Sequence, residues 1–238
     1  MSGAGKSSRR GAGAAGLAGR ERVLGGVLLA CYLTVLPAAA GRVFGWAELL
    51  LGITLERGTR DMLYHAVLFA LTLAVFGDFW KRNTLSARPG RVLSSLGLGL
   101  AAFYGINVLG AKLLRLLPLE LANLNDAAVS ALQGDSPGNT VLIVVLFAPV
   151  VEETLFRGYL FGALRARSRA AAYAVSCLLW ALAHVWRYAA GDWTYLLVGL
   201  QYAAPGLVMA WTFERSGSLW GSVLLHSALN ALAVWSVR

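Results

Sequence analysis

From Val23 to Trp235 the chain is a succession of apolar stretches divided by short clusters of Lys and Arg. The stretches run to about 20 residues, the length at which an α-helix crosses a hydrocarbon core. In lipid a spanning segment must satisfy its own backbone, which leaves helices or a closed barrel, and continuous runs of this length are helical. With 58% apolar and 14% charged residues, the chain departs from a water-soluble domain, which averages roughly 45–50% and 25%. A chain of 238 residues holds about seven crossings, with six to eight fitting, and leaves no room for a sizeable soluble domain. The expected fold is therefore all-α, a polytopic transmembrane helix bundle.

Apolar runs and charge breaks place helices near 23–41, 61–80, 92–114, 140–164, 169–190, 193–213 and 218–237. The stretch 44–55 is short for a crossing and reads as an interfacial or re-entrant helix. Residues 1–22 are rich in Gly, Ala and Ser and carry five basic residues. Such a composition cannot bury enough apolar surface to fold, and reads as a disordered basic cytoplasmic tail. A secretory signal is the rival for this region, but the apolar run after it is long enough to span and further crossings follow. Residues 23–139 are then N-terminal transmembrane helices, and 140–232 a core that carries the chemistry.

Lys and Arg in the loops set orientation, because cytoplasmic loops are enriched in them. Counting alternate loops, thirteen fall on the side of the N-terminus and seven on the other, with Arg157 inside a helix. This places the N-terminus in the cytoplasm and the C-terminus outside, in a multi-pass protein of the cell membrane. The net charge of +9 then reflects loops facing anionic lipid, not a nucleic-acid partner. Cys31 and Cys177 both lie inside apolar runs, which excludes a disulfide framework and a thiolate metal site.

Charges inside a bilayer cost ~2.5–3.5 kcal/mol each on insertion scales, so those retained there are candidates for function. The fourth helix has three, in the run Glu152-Glu153-Thr154-Leu155-Phe156-Arg157-Gly158. Glu153 and Arg157 stand four apart with the acid first, the order that favours an ion pair and makes both structural support. Glu152 lies about 100° further round the helix and faces another wall of the bundle. Pro149 lacks an N–H, so the helix is expected to bend just before the acids and free a polar backbone group. Helix five carries His184, and helix seven carries His226 and Asn230 on one face. At 1.5 Å per residue, Glu152, His184 and His226 lie roughly 12–22 Å from the cytoplasmic ends of their helices, which is one layer. His65, near the outer end of the second helix, lacks such company and reads as structural.

An acid, two imidazoles and a carboxamide in one layer can hydrolyse an amide. That reaction needs a base for water, donors for the oxyanion and an acid for the leaving amine. Glu152 can serve as the base, His184 can hold or help activate the water, and His226 with Asn230 can donate to the oxyanion. A zinc version with Glu152, His184 and His226 as ligands is equally compatible with these residues, as is catalysis without a metal. The His-Glu-x-x-His, Gly-x-Ser-x-Gly and paired membrane Asp signatures of other peptidases are absent.

The Glu152-Glu153-x-x-x-Arg157-Gly158 run, then Trp180 with His184 four residues on, then His226 with Asn230 four residues on, resembles the CAAX-protease and bacteriocin-processing family, also called Abi. The resemblance covers residues 140–232, and the second motif commonly begins with Phe where Trp180 stands here. It implies a helical intramembrane endopeptidase in which Glu152 and His184 activate water while His226 and Asn230 bind the oxyanion. It implies a lipidated or transmembrane C-terminal substrate, with membrane lipid and a peptide or membrane protein as partners. It leaves the cofactor open, because the family has been described both as zinc-dependent and as metal-free. Two other classes keep polar residues in a membrane: a proton-coupled transporter, whose repeated halves are not found in this sequence, and a non-catalytic immunity or scaffold protein.

Overall fold

The computed structural model describes residues 16–114 and 136–236, with isolated positions between 127 and 134. Eight helices account for nearly all of it: α1 (Gly19–Leu33), α2 (Val35–Leu51), α3 (Arg57–Ser86), α4 (Pro89–Leu114), α5 (Pro137–Arg165), α6 (Arg169–Ala189), α7 (Tyr195–Ser216) and α8 (Leu219–Ser236). No strand occurs among the described residues. Local chemistry fixes the ends. Pro137 stands in the first turn of α5, where a missing N–H costs nothing. Ser168 accepts from the Ala171 N–H to cap α6. Gly217, at φ 68°, ends α7 in a left-handed conformation open to a residue without Cβ. Asn83 on α3 accepts from the Leu219 N–H and the Ser218 hydroxyl, both at 2.9 Å. That cap fixes where α8 begins, and with it the depth of His226 two turns later.

Two expectations are corrected and a third is refined. First, the segment 23–41 is not one straight helix. The chain bends by 68° between α1 and α2. Pro37 has no N–H to offer the Leu33 carbonyl four residues back, and the break falls at Thr34, whose hydroxyl donates to Ala30 instead. The stretch read as interfacial, 44–55, is largely the second half of α2. Second, helix reaches further into 1–22 than its composition suggests. α1 starts at Gly19 because Glu21 accepts from the Ala18 N–H and is buried against Arg82 at 2.7 Å. Residues 1–15 of that proposed tail lie outside the described residues. Third, α5 changes its hydrogen-bond register around Pro149. It widens into π-helix over Leu142–Phe147 and again over Glu153–Phe161, with the short α-helical turn Ala148–Glu152 between. Bonding five residues back places the proline where the helix is already out of α register.

The bundle buries several charged and polar side chains within an apolar core and turns large apolar side chains outward, where a protein in water is polar. Glu153, Thr154, Arg157 and Ser222 are fully buried, whereas Trp46, Leu50 and Trp235 are largely exposed. Four helices, α3, α4, α5 and α7, are long and apolar enough to cross a membrane, or five spans if the bent α1–α2 pair is one. α6 and α8 carry His184 and His226 and pack against α7 and α5. The protein is a multi-pass membrane protein. Its core runs through Phe76, Leu155, Phe156, Val185, Phe213 and Leu225, and Cys31 and Cys177 are both free thiols.

Candidate active site

The two acids of α5 diverge, as a helical step between neighbours requires. Glu152 turns towards α1 and α6. The Tyr32 hydroxyl donates to its Oε1 at 3.2 Å, and the Trp180 indole N–H donates to its Oε2 at 2.7 Å. Glu153 turns towards α8 and α7. Its Oε1 accepts from Arg157 at 3.0 Å and from His226 Nδ1 at 3.1 Å. Arg157 and Glu153 are both 0% exposed. A second Arg157 nitrogen donates to the Gly206 carbonyl at 3.1 Å, and the guanidinium lies 5.0 Å from the centre of the Trp180 ring. A Cβ on Gly206 would come within 3.3 Å of Trp180, so glycine there allows the backbone to approach both side chains.

Hydrogen-bond partners assign the imidazoles. His184 Nδ1 faces the Trp180 carbonyl at 2.8 Å. A carbonyl only accepts, so Nδ1 carries the proton and Nε2 presents a lone pair. That Nε2 stands 3.9 Å from Glu152 Oε2, too far for a direct hydrogen bond. The His184 ring is stacked on Tyr202 at 4.5 Å and touches Trp180, which fixes its orientation. His226 Nδ1 faces the Arg157-paired carboxylate of Glu153 and donates to it, leaving Nε2 outside that contact.

Asn230 occupies a place set by Pro149. In the first π stretch the Ala148 N–H bonds to the Ile143 carbonyl, five residues back. The next donor in that register is residue 149, a proline, so the Val144 carbonyl loses its backbone partner. Asn230 Nδ2 donates to it at 2.8 Å. The freed polar group expected at Pro149 is thus present, and one of the two carboxamide N–H bonds satisfies it.

Glu152, His184, His226 and Asn230 all line one cavity of about 560 Å³ between α4, α5, α6, α7 and α8, walled otherwise by residues such as Phe103, Met209 and Leu229. A second cavity of about 500 Å³ lies between α2, α3 and α6 and shares Glu152, Ala148 and His65 with the first. Glu153 and Arg157 line neither. Among the described residues no three His, Cys, Asp or Glu side chains converge to hold a metal ion. His226 and His184 each have Nδ1 engaged, by the Glu153 carboxylate and the Trp180 carbonyl, so any ligand would be met through Nε2.

Sequence reasoning found the residues of the layer and missed part of their wiring. Tyr32 carries no motif and is brought to Glu152 by the fold alone. The Trp180 N–H is a donor to Glu152 and more than a helix-facing aromatic. Glu153 serves His226 as well as Arg157. His65 lies beside Glu152 in both cavities, although its Nδ1 is held by the Asp61 carbonyl at 2.8 Å.

Comparison with known proteins bears on this arrangement directly. Residues 136–232 match the family described as type II CAAX prenyl endopeptidase Rce1-like. The matched segment begins just before α5 and ends inside α8, so it contains Glu152, His184, His226 and Asn230, while Tyr32 lies outside it. The resemblance read from the sequence therefore holds over the Rce1-like segment. The chain is also 30% identical over 88 residues to the UPF0177 protein YxdF of Lactococcus lactis subsp. lactis (strain IL1403), a match that covers 37% of this chain and 44% of that protein. The chain thus spans less than half the length of this curated relative. No solved structure matches.

Proposed function

We propose that the protein is an intramembrane endopeptidase of the CAAX-protease kind, cutting a peptide bond near the C-terminus of a lipidated or transmembrane substrate. The observation that carries this reading is the 3.9 Å separation of His184 Nε2 and Glu152 Oε2 at the wall of a cavity shared with His226 and Asn230. Two acceptors at that spacing suit one water donating a hydrogen to each, with its oxygen lone pair turned to the cavity. Attack on the scissile carbonyl forms the C–O bond as Glu152 takes the proton, which then passes to the leaving nitrogen as the C–N bond breaks.

The oxyanion side is supplied by α8. Asn230 keeps a second N–H beyond the one given to Val144, and His226, held by Glu153 through Nδ1, donates from Nε2 when doubly protonated. Glu153 and Arg157 support the site by holding His226 and Trp180. In this reading residues 140–232 form the protease core and 23–139 the helices that enclose it. The protein resides in the cell membrane with its N-terminus in the cytoplasm.

The test is cleavage by purified protein in lipid nanodiscs of a panel of prenylated and transmembrane C-terminal peptides, wild type against Glu152→Gln. Cleavage of at least one class by wild type and its loss in the variant are expected. Equal cleavage by both proteins would overturn the reading.

A further inference from the structure

Trp180 is bonded to both members of the pair that stands across the 3.9 Å gap. Its indole N–H donates to Glu152 Oε2 at 2.7 Å, and its main-chain carbonyl accepts from His184 Nδ1 at 2.8 Å. The first bond has the length of an N–H held by an ionised carboxylate. It is also the shorter of the two that Glu152 accepts, since the Tyr32 hydroxyl stands 3.2 Å from Oε1. A glutamate side chain turns about three bonds, so a carboxylate without a firm donor samples several positions. The separation of Nε2 and Oε2 is therefore fixed by two bonds that end on one residue.

The indole is itself held still. It is 3% exposed, and the Arg157 guanidinium lies 5.0 Å from the centre of its ring. The His226 ring meets it edge to face at 5.9 Å, and Gly206 lets the α7 backbone close on it. A cation over the face of the ring pulls on its electrons and makes the N–H a better donor. On the proposed peptidase reading, we infer that Trp180 is a positioning residue, which through its indole N–H keeps Glu152 Oε2 and His184 Nε2 at the spacing that one water bridges. The bulk of the ring does not suffice for this. Phenylalanine, which commonly begins this motif, has no N–H to give, so the device belongs to this chain.

The experiment replaces the donor and keeps the shape. Trp180→benzothienylalanine, introduced by amber suppression, exchanges the indole N–H for sulfur within the same bicyclic ring, and Trp180→Phe removes N–H and bulk together. Both are compared with wild type in lipid nanodiscs on the same panel of prenylated and transmembrane C-terminal peptides, with rates taken per folded molecule. A loosened pair should lower kcat by about tenfold to a hundredfold in both variants, with KM within about twofold of wild type because substrate binding is not what the N–H serves. Wild-type turnover by the benzothienyl protein overturns the inference, even where Trp180→Phe is slow, because packing alone then holds the site. A raised KM with kcat unchanged also overturns it, by making Trp180 a substrate contact. A second readout is independent of turnover: the 15N-labelled indole N–H resonance that disappears in Trp180→Phe should move in Glu152→Ala. A resonance that stays in place removes the bond and the inference with it. Cleavage of no peptide by wild type removes the peptidase reading and the positioning role together, whereas equal cleavage by wild type and the benzothienyl protein removes only the positioning role.

Discussion

Asn230 gives one carboxamide N–H to the carbonyl of Val144 at 2.8 Å, the acceptor that Pro149 leaves without a donor in the π register of α5. A side chain read as part of the chemistry therefore also closes a gap in the backbone of the helix that carries Glu152. The two roles are compatible, because a carboxamide has two N–H bonds. They make different demands on a variant.

The first prediction separates them. Asn230→Ala strands a half-buried carbonyl and is expected to cost about 1–3 kcal/mol of stability, the usual penalty for an unmet buried acceptor. Pro149→Ala restores an N–H at the position that faces Val144, so the double variant should recover part of that loss. Thermal melts of the detergent-solubilised proteins form a double-mutant cycle that reads the coupling. Strict additivity of the two single changes would show that Asn230 and Pro149 are not linked through Val144.

Arg157 supports the second. Its guanidinium is fully buried, pairs with Glu153, bonds to Gly206 and lies over Trp180. Removing one partner of a buried pair costs about 3–5 kcal/mol because the other charge is stranded. Arg157→Ala should thus lower folded yield and melting temperature together with activity. Normal yield and melting with activity lost would instead assign Arg157 to substrate binding.

What the sequence revealed depended on how local each constraint is. The pairing of Glu153 with Arg157 follows from a four-residue spacing on one helix, and the layer of Glu152, His184, His226 and Asn230 follows from the cost of polar groups in an apolar run. The Tyr32–Glu152 bond could not be read in the same way, since the residues are 120 apart and a lone tyrosine in an apolar stretch signals nothing. The break at Thr34 was visible in principle through Pro37. An apolar run on both sides of a proline also fits a straight crossing, and hydropathy favours that reading. The π stretches were hidden for a related reason: Pro149 announces a missing donor, but the register the helix adopts around it, and the Asn230 donor on α8 that meets the freed carbonyl, are set by tertiary contact.

Orientation gives the third prediction. The turn between α5 and α6, around Arg165, Arg167 and Arg169, is expected to face the cytoplasm with the N-terminus. Arg165 and Arg169 are tied to Glu214 on α7 at 2.6 and 2.8 Å, so Arg167 is the residue to replace. In intact cells a cysteine at position 167 should resist a membrane-impermeant maleimide and react only after permeabilisation. Labelling from the outer face of intact cells would invert the topology.

The last prediction concerns Glu152. It accepts from Tyr32 on one oxygen and from Trp180 on the other, with His184 Nε2 across a 3.9 Å gap. A glutamine keeps the volume and can still accept from Trp180 through its carbonyl oxygen, but it cannot take a proton from water. Glu152→Gln should therefore reduce turnover by the ~10²–10⁴ typical of a lost general base, with helix content and yield preserved. His226→Ala is expected to cost ~10²–10³ as a lost oxyanion donor, with an added loss of stability because Glu153 would keep only Arg157 as a partner. Tyr32→Phe removes one donor to the carboxylate and leaves both water-binding acceptors in place, so it should slow turnover far less than Glu152→Gln. The ranking Glu152→Gln, then His226→Ala, then Tyr32→Phe, in order of decreasing rate loss at matched folded concentration, is the signature of a water-activating pair at Glu152 and His184. If Tyr32→Phe abolished turnover while Glu152→Gln spared it, the proton acceptor would have to be sought on the Tyr32 side of the wall.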